Sequence, residues 1–376
     1  MANIPVDCLQ SVTATLNGRP ILEMASRIVI AEDMGSTFPR STIFVGRDSR
    51  FEMQEALAGQ QLSISIQPSF GPALTVSHVV HSAKPSTHPG GKGLTGVING
   101  VSPDYPTSLQ KRTKKSWKAK NADSIIKETH SEFSKYPIEV STGMKQTSMN
   151  GMSQMPLQTI DKAGGLSGTG SRGFYYQTQE NGGKAHFKTM KDMTSKGPKA
   201  SFRYNAAASA DESTVSDTTT IYDLHYEGSS ISNAKQTEVQ GQSYNPSFNK
   251  TGKNDKAGQG STTPGLGLQG GASTTSYPVV NTIEQDKEKR LVDRDKQNLN
   301  DYSSKLRLLT MLRSDLHVGD VIYVNSGSAT YFSDSSPENS ATGKWLITAI
   351  MHSIELGGSD TATHIGRSLI HCVGKI

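Results

Sequence analysis

Apolar and polar positions alternate with a period of two at both ends of the chain and lose that period in the middle. Alternation puts successive side chains on opposite faces of an extended backbone, so both ends read as β-sheet. Val12, Ala14 and Leu16 alternate into Asn17-Gly18, a pair that accepts the positive φ angles of a hairpin turn. Residues 27–31 read as a strand turned by Glu32-Asp33-Met34-Gly35, and 42–45 as another strand. Leu62, Ile64 and Ile66 alternate with serines, and Leu74, Val76, His78 and Val80 alternate again. Residues 51–59 read as a short helix or a bent strand, 84–93 as a Pro/Gly connection, and 94–101 as one more strand. Strands at this spacing without a long helix predict a small antiparallel barrel or sandwich.

The middle of the chain changes character. Residues 110–120 carry Lys111, Arg112, Lys114, Lys115, Lys118 and Lys120. A helix is predicted over 122–133, with Asn121 as N-cap and Ile125, Ile126, Thr129 and Phe133 on its apolar face. Residues 141–172 lack aromatics and are rich in Ser, Thr, Gln, Gly and Met; Gly143, Gly151 and Pro156 break helical continuity. This stretch reads as a long loop that orders on assembly, with adaptable methionines suited to an interface. Residues 174–193 read as strand, Asn-Gly-Gly turn and strand. Segments 200–204 and 221–227 follow as strands, the second with Tyr222, Leu224 and Tyr226 facing in and Asp223, His225 and Glu227 facing out.

Residues 228–276 are too rich in Gly, Ser, Thr, Asn and Gln to pack a core. A charged helix is predicted over 281–300, opened by the Asn281/Glu284 capping box and supported by Asp286 and Arg290 at i, i+4. Leu306, Leu308, Thr310 and Leu312 then restore the period of two. Residues 315–354 predict two strands, apolar on both faces, joined by a long polar loop; 362–376 add a last strand. Of Trp345 and Leu346, one is expected in a core and the other at an interface.

The chain has 376 residues, enough for two or three domains, and a net charge of +5 from 39 Lys and Arg against 34 Asp and Glu. That excess is too mild to argue for nucleic acid by itself. Cys8 and Cys372 are too few for a disulfide framework and read as buried thiols, a bridge between first and last strands being the other arrangement. No signal peptide or membrane span is legible, so a soluble protein made in the cytoplasm is expected. Catalytic motifs such as GxSxG, HExxH or a Walker loop do not occur. The glycine-rich run 164–170 lacks the Lys-Ser/Thr ending of a phosphate loop, and His78 and His81, three apart, fall on opposite faces of a strand. Glu32-Asp33 and Asp211-Glu212 read as turn residues. Neither an enzyme nor a metal or cofactor site is expected.

Three motifs occur in order along the chain. The first is the basic segment KKSWKAKNADSIIKE, and the second an aromatic hairpin carrying Phe174, Tyr176, Gly183, Phe187 and Met190. The third places Gly319-Asp320 before an apolar strand, then Gly343-Lys344-Trp345 and His352 on the next. Together they resemble the central hub proteins of contractile phage tail baseplates, which are related to the hub portion of type VI secretion spikes.

The resemblance implies a mainly β protein with some α: two small antiparallel β-barrel domains, an inserted α+β portion and long polar loops. It places the first barrel at 1–83, completed by part of 84–101, and the inserted portion at 102–200. The second barrel takes 201–376, with 228–276 as an excursion. It further implies a homotrimer whose six barrels form a ring adapting a sixfold tail tube to a trimeric spike. The implied partners are tube, spike, tape measure and baseplate wedge proteins, with phage DNA passing through in the virion tail. Lys111, Arg112, Lys114, Lys115, Lys118 and Lys120 are then candidates for contact with DNA in the channel or with a partner. Gly319, Asp320, Gly343, Lys344, Trp345 and His352 are structural landmarks, His352 as a hydrogen-bonded residue. A distal tail or receptor- or carbohydrate-binding tail-tip protein is the other reading of short strands and polar loops.

Overall fold

The period-two segments form strands whose alternate residues are buried. The structure, a computed structural model, describes residues 8–46, 58–87, 94–167, 173–204, 220–227, 236–244, 258–259, 273–278, 304–326, 341–357 and 364–375. The N-terminal strands are β1 (Leu9–Leu16), β2 (Arg19–Pro20), β3 (Ala25–Asp33), β4 (Arg40–Val45), β5 (Gln61–Pro68), β6 (Leu74–Thr87) and β7 (Leu94–Val101). The inserted unit runs α1 (Asp104–Gln110), β8 (Ser116–Asn121), α2 (Ala122–Ser131), β9 (Ile138–Val140), β10 (Gln146–Asn150), α3 (Pro156–Leu166), β11 (Gly173–Thr178), β12 (Lys184–Thr189) and α4 (Met190–Thr194). Then come β13 (Ala200–Tyr204), β14 (Thr220–Glu227), β15 (Gln236–Tyr244), β16 (Gly258–Gln259), β17 (Ser273–Pro278), β18 (Lys305–Met311), β19 (Val321–Asn325), β20 (Gly343–Glu355) and β21 (Ile365–Lys375).

One thirteen-stranded sheet runs in the order β19-β13-β14-β18-β21-β20-β3-β4-β7-β6-β5-β1-β2. Strand β19 also pairs with β20, closing β19, β13, β14, β18, β21 and β20 into a barrel. The rest of the sheet curls until Cys8, just before β1, bridges Ile365 at the start of β21. Strand β20 therefore belongs to both halves: Gly343–Leu346 pair with β19, and Ala349–Glu355 pair with β3. Its buried face passes from one core to the other, because Ile350 lies in the C-terminal cluster and Ile354 in the N-terminal one. Strands β15, β16 and β17 pair among themselves.

The inserted unit has a core of its own. Ile125 and Ile126 of α2, Ile160 and Ala163 of α3, Trp117, Met144, Met149, Tyr175 and Phe187 pack together. The loop expected over 141–172 is thus overturned for its described part, since Met144 and Met149 are interior and 156–166 is helical. Pro156 stands in the first turn of α3, where its missing N–H costs nothing, and the Met155 N–H donates to Gln158 Oε1 at 3.2 Å. Met152 is the exposed one. Gly164 belongs to α3 and not to a phosphate loop; a Cβ there would stand 2.2 Å from Phe187 Cζ.

Other expectations change as well. Residues 84–87 continue β6 rather than forming a connection. Glu32 and Asp33 end a strand, and the turn follows them. Trp345 and Leu346 are both fully buried in the same core, so neither is an interface contact. Asn121 occupies the N-cap of α2, but its side chain makes no capping bond. Cys8 and Cys372 are buried thiols; Ile365, which pairs with Cys8, is roughly 23 Å along β21 from Cys372 at about 3.3 Å per residue. The charged helix expected over 281–300 lies outside the described residues, as does 51–57. Among the described residues no helix is long and apolar enough to cross a membrane.

Candidate functional site: a basic ribbon and a buried three-way junction

The basic run becomes an extended lead-in to the two-stranded ribbon of β8 and β10. Trp117 faces the core from this ribbon and is anchored by its indole N–H to Glu128 Oε2 at 3.1 Å. Alternation then turns Ser116 and Lys118 outward. Three of the six cations are tethered: Lys111 Nζ donates to the Glu132 carbonyl, Lys115 lies 3.8 Å from Glu132, and Lys120 pairs with Glu128. The Arg112 guanidinium folds back on the carbonyls of Leu109 and Lys111 at 2.7 and 2.8 Å. Lys114 and Lys118 are exposed. The ribbon is therefore a positive surface held in shape by α2. Leu109, in α1 before the lead-in, and Met152, just after β10, are exposed apolar side chains.

The landmark residues lie apart from the ribbon, in the C-terminal barrel. Gly319 has φ +89°, and a Cβ there would lie 2.1 Å from Tyr176 Oη, so the turn lets the aromatic hairpin approach the barrel. Asp320 Oδ2 accepts the His317 N–H at 2.9 Å and Lys199 Nζ at 2.8 Å. The Trp345 indole N–H donates to the Ala341 carbonyl at 2.8 Å, and its ring meets Tyr226 edge-on. Lys344 is exposed on the strand that Gly343 opens. His352 is buried, with Nδ1 2.9 Å from Ser368 Oγ; its Nε2 has no hydrogen-bond partner.

Between the two barrel cores lies a buried polar layer that the sequence reading missed. Glu32 sits in it, 1% exposed. One carboxylate oxygen, Oε1, accepts the Gln179 N–H at 2.6 Å and lies 3.0 Å from His317 Nδ1; Oε2 accepts the Val318 N–H at 3.3 Å. Glu32 comes from β3, Gln179 from the turn after β11, and His317 from the segment between β18 and β19, so one carboxylate joins all three parts of the chain. The Gln179 amide reaches on to His78 Nε2 at 2.9 Å, whose Nδ1 is 2.9 Å from Ser41 Oγ. Gly100 makes room for that pair, as a Cβ there would stand 2.6 Å from Ser41 Oγ.

The electrostatics follow from burial and pairing. Burial alone would raise the Glu32 carboxyl, but the His317 charge and the hydrogen bonds outweigh it and hold its pKa below the usual value. His317 is raised, because Glu32 overcomes the burial that would lower it. Burial pushes His78 down to about 3 and His352 down to about 4. The layer thus pairs a lowered carboxyl with a raised imidazole and holds two further imidazoles neutral at pH 7. A signal for Glu32 was present in the sequence: Ile28, Ile30 and Glu32 share one phase of the β3 alternation, which aims Glu32 inward.

A cleft of about 670 Å³ separates the inserted unit from the C-terminal barrel. One wall bears the cross-strand row Asp33, His371, Arg307 and His225, with Lys305 beside Arg307; Asp161 of α3 lies on the side of the inserted unit. Among the described residues no group of three His, Cys, Asp or Glu side chains is arranged to hold a metal ion.

No protein-family model matches the chain, and no curated protein matches its sequence. Solved structures do match in shape. A tail protein from Neisseria meningitidis MC58 superposes with a TM-score of 0.61 at 10% identity, covering 96% of each chain. The 43 kDa tail protein of prophage MuSo2 from Shewanella oneidensis superposes at 0.57 with 11% identity, covering 97% of this chain and 98% of its own. Identities this low speak to the backbone alone, and at that level the chain has the fold of these two tail proteins.

Proposed function

We propose that the protein is a structural component of a phage tail, and specifically the baseplate central hub of a contractile one. The observation that carries this reading is the architecture: one chain presents two β-barrel halves fused through β20, so three copies set six such halves around an axis. A heterologous contact repeated three times closes a ring with a lumen. Such a ring meets a sixfold tube on one face and a threefold spike on the other, matching symmetries by geometry without catalysis. The likeness to two tail proteins over nearly the whole chain supports the same reading. Tube, spike, tape measure and wedge proteins are its partners here, and the virion baseplate its location.

In this arrangement the ribbon cations line the DNA exit path, where Lys and Arg neutralise phosphates without reading sequence. The test is copy number and position. Native mass measurement of the isolated protein and particle averaging of tails should give three copies on the tail axis; six copies, or a peripheral position, sinks the hub reading. Changing Lys111, Arg112, Lys114 and Lys115 together to Gln should leave assembly intact and slow DNA ejection. Unchanged ejection rejects the channel role, and failed assembly assigns the ribbon to a protein contact.

A further inference from the structure

Two barrel cores can be joined by apolar contact alone, yet the layer between these holds Glu32, His78, His317 and His352, all buried. Ionisable groups taken out of water cost several kcal/mol each unless they are paired or neutral. Their placement follows the chain's architecture. On β3, Ile28 and Ile30 enter the N-terminal core; Met34, just past the end of the strand, enters the C-terminal one, with Glu32 between them. On β20, His352 likewise stands between Ile350 and Ile354. Glu32 pairs in register with Ile350, and His352 with Ile30, so Glu32 and His352 are diagonal neighbours on the same buried face. The inserted unit grips the layer through Gln179, whose backbone holds Glu32 and whose side chain holds His78.

We propose that this layer is a proton-operated latch: it clamps the β11–β12 hairpin of the inserted unit against both barrels while His78 and His352 are neutral, and it releases when they take up protons. Release fits the geometry, because neither neutral ring has an acceptor placed for an added proton. His78 uses both nitrogens, against Ser41 and Gln179, and His352 Nε2 has no acceptor within reach. The charged and titratable groups that face the layer are few. Asp315, Asp320 and His317 come from the segment between β18 and β19, Lys199 from the approach to β13, and Tyr176 from β11, with His186 of β12 stacked on the Tyr176 ring and Glu139 and Glu180 acting on it from β9 and the hairpin turn. Asp320 is taken up by Lys199 and Asp315 by Arg313, which leaves Glu32 and His317 as the pair at the centre.

The direction with pH follows. His78 and His352 have closed-state values of about 3 and about 4 and return to about 6.5 once hydrated, so the closed state loses ground as pH falls below 6.5. Relative to pH 8, opening at pH 5 gains about 30-fold from each histidine. His317 is raised, so its contribution is complete below 6.5 and is lost only as pH rises through its folded value; it adds no slope in acid. Glu32 is lowered, and its share is lost only as pH falls below its unfolded value of 4.5 toward the folded one.

Residue-resolved hydrogen exchange on the intact chain, corrected for the intrinsic pH dependence of exchange, tests the latch. The amides to follow are Gln177, Gln179 and Val318, which donate across the junction to Thr37 and Glu32. From pH 8 to pH 5 they should lose at least 30-fold protection relative to the amides of β5, which pairs on both sides. The double change His78→Gln, His352→Gln should remove most of that pH dependence. Should this variant fail to fold, Gln179→Ala serves in its place, opening the same amides at pH 8 while β5 stays protected. Equal losses at β5 and the junction would mean global unfolding and overturn the latch. So would an unchanged pH ratio in the double variant, or full protection in Gln179→Ala.

Discussion

Gly319 and Gly182 both hold positive φ, at +89° and +84°, yet their surroundings differ. Gly182 has nothing within 4 Å of a built Cβ, whereas Gly319 has the Tyr176 hydroxyl at 2.1 Å. Gly182→Ala should therefore cost only the left-handed backbone penalty of about 1–2 kcal/mol. Gly319→Ala adds overpacking of about 1–3 kcal/mol on top. Because the nearest clashing atom is Oη, Tyr176→Phe should restore part of the stability in the Gly319→Ala background and none in the Gly182→Ala background. Urea unfolding of the three single and two double variants measures this as a coupling energy. Equal costs at the two glycines would show that the hairpin does not rest on the barrel turn. The glycine of the Gly-Asp landmark is, on this account, required by a neighbour 143 positions away in sequence, from Tyr176 to Gly319.

At the scale of the element, α3 inverts an ordinary rule. Gly-to-Ala exchange inside a helix usually stabilises by about 1 kcal/mol. Gly164→Ala should instead destabilise, by about 1–3 kcal/mol, because the Phe187 ring occupies the space of the new methyl. Adding Phe187→Leu should reverse the sign of the Gly164→Ala effect, as read by thermal melting; the same sign in both backgrounds rejects the packing explanation. This contact also shows why the middle of the chain misread. Glycines, methionines and a proline have the composition of a loop, and only a ring from β12 makes Gly164 a helix residue. Pattern was enough for Leu62, Ile64 and Ile66, which are buried as their alternation predicts, and in part for β14, where Leu224 and Tyr226 pack half-buried on the core while Asp223 and His225 are exposed. It was enough for α2, whose Ile125, Ile126 and Thr129 are buried as their spacing predicts. Pairing between distant strands was not legible. Nothing local states that β20 changes partners from β19 to β3 at its middle, or that Glu32 and His317, 285 positions apart, meet. The basic ribbon, by contrast, was legible as charge, and the structure adds which of its cations are already tethered.

For the whole molecule, the buried histidines set a stability window. His78, His186 and His352 are all held down by burial, to about 3, about 4 and about 4, so each contributes stability that is complete above 6.5 and falls as pH drops below it. Glu139, held at about 2 chiefly by its hydrogen bond to Lys188, contributes above 4.5 and fails only in strong acid. On the alkaline side the raised His317 loses its contribution as pH climbs through its folded value. Stability should therefore peak near neutrality and fall first on the acid side. His352→Leu isolates one step of that fall. Leucine gives up the bond to Ser368 but removes a buried Nε2 that has no partner, and those two effects are each about 1 kcal/mol and opposed. At pH 8 the variant should match the native protein within about 1 kcal/mol. At pH 5 it should be the more stable by about 2 kcal/mol, because leucine in the unfolded chain gains nothing from protons. Urea midpoints at the two pH values decide the matter: parallel curves would remove His352 from the acid limb and leave His78 and His186 to account for it. Crossing curves would show that His352, between the two cores on β20, helps fix the pH range over which the two barrels stay joined.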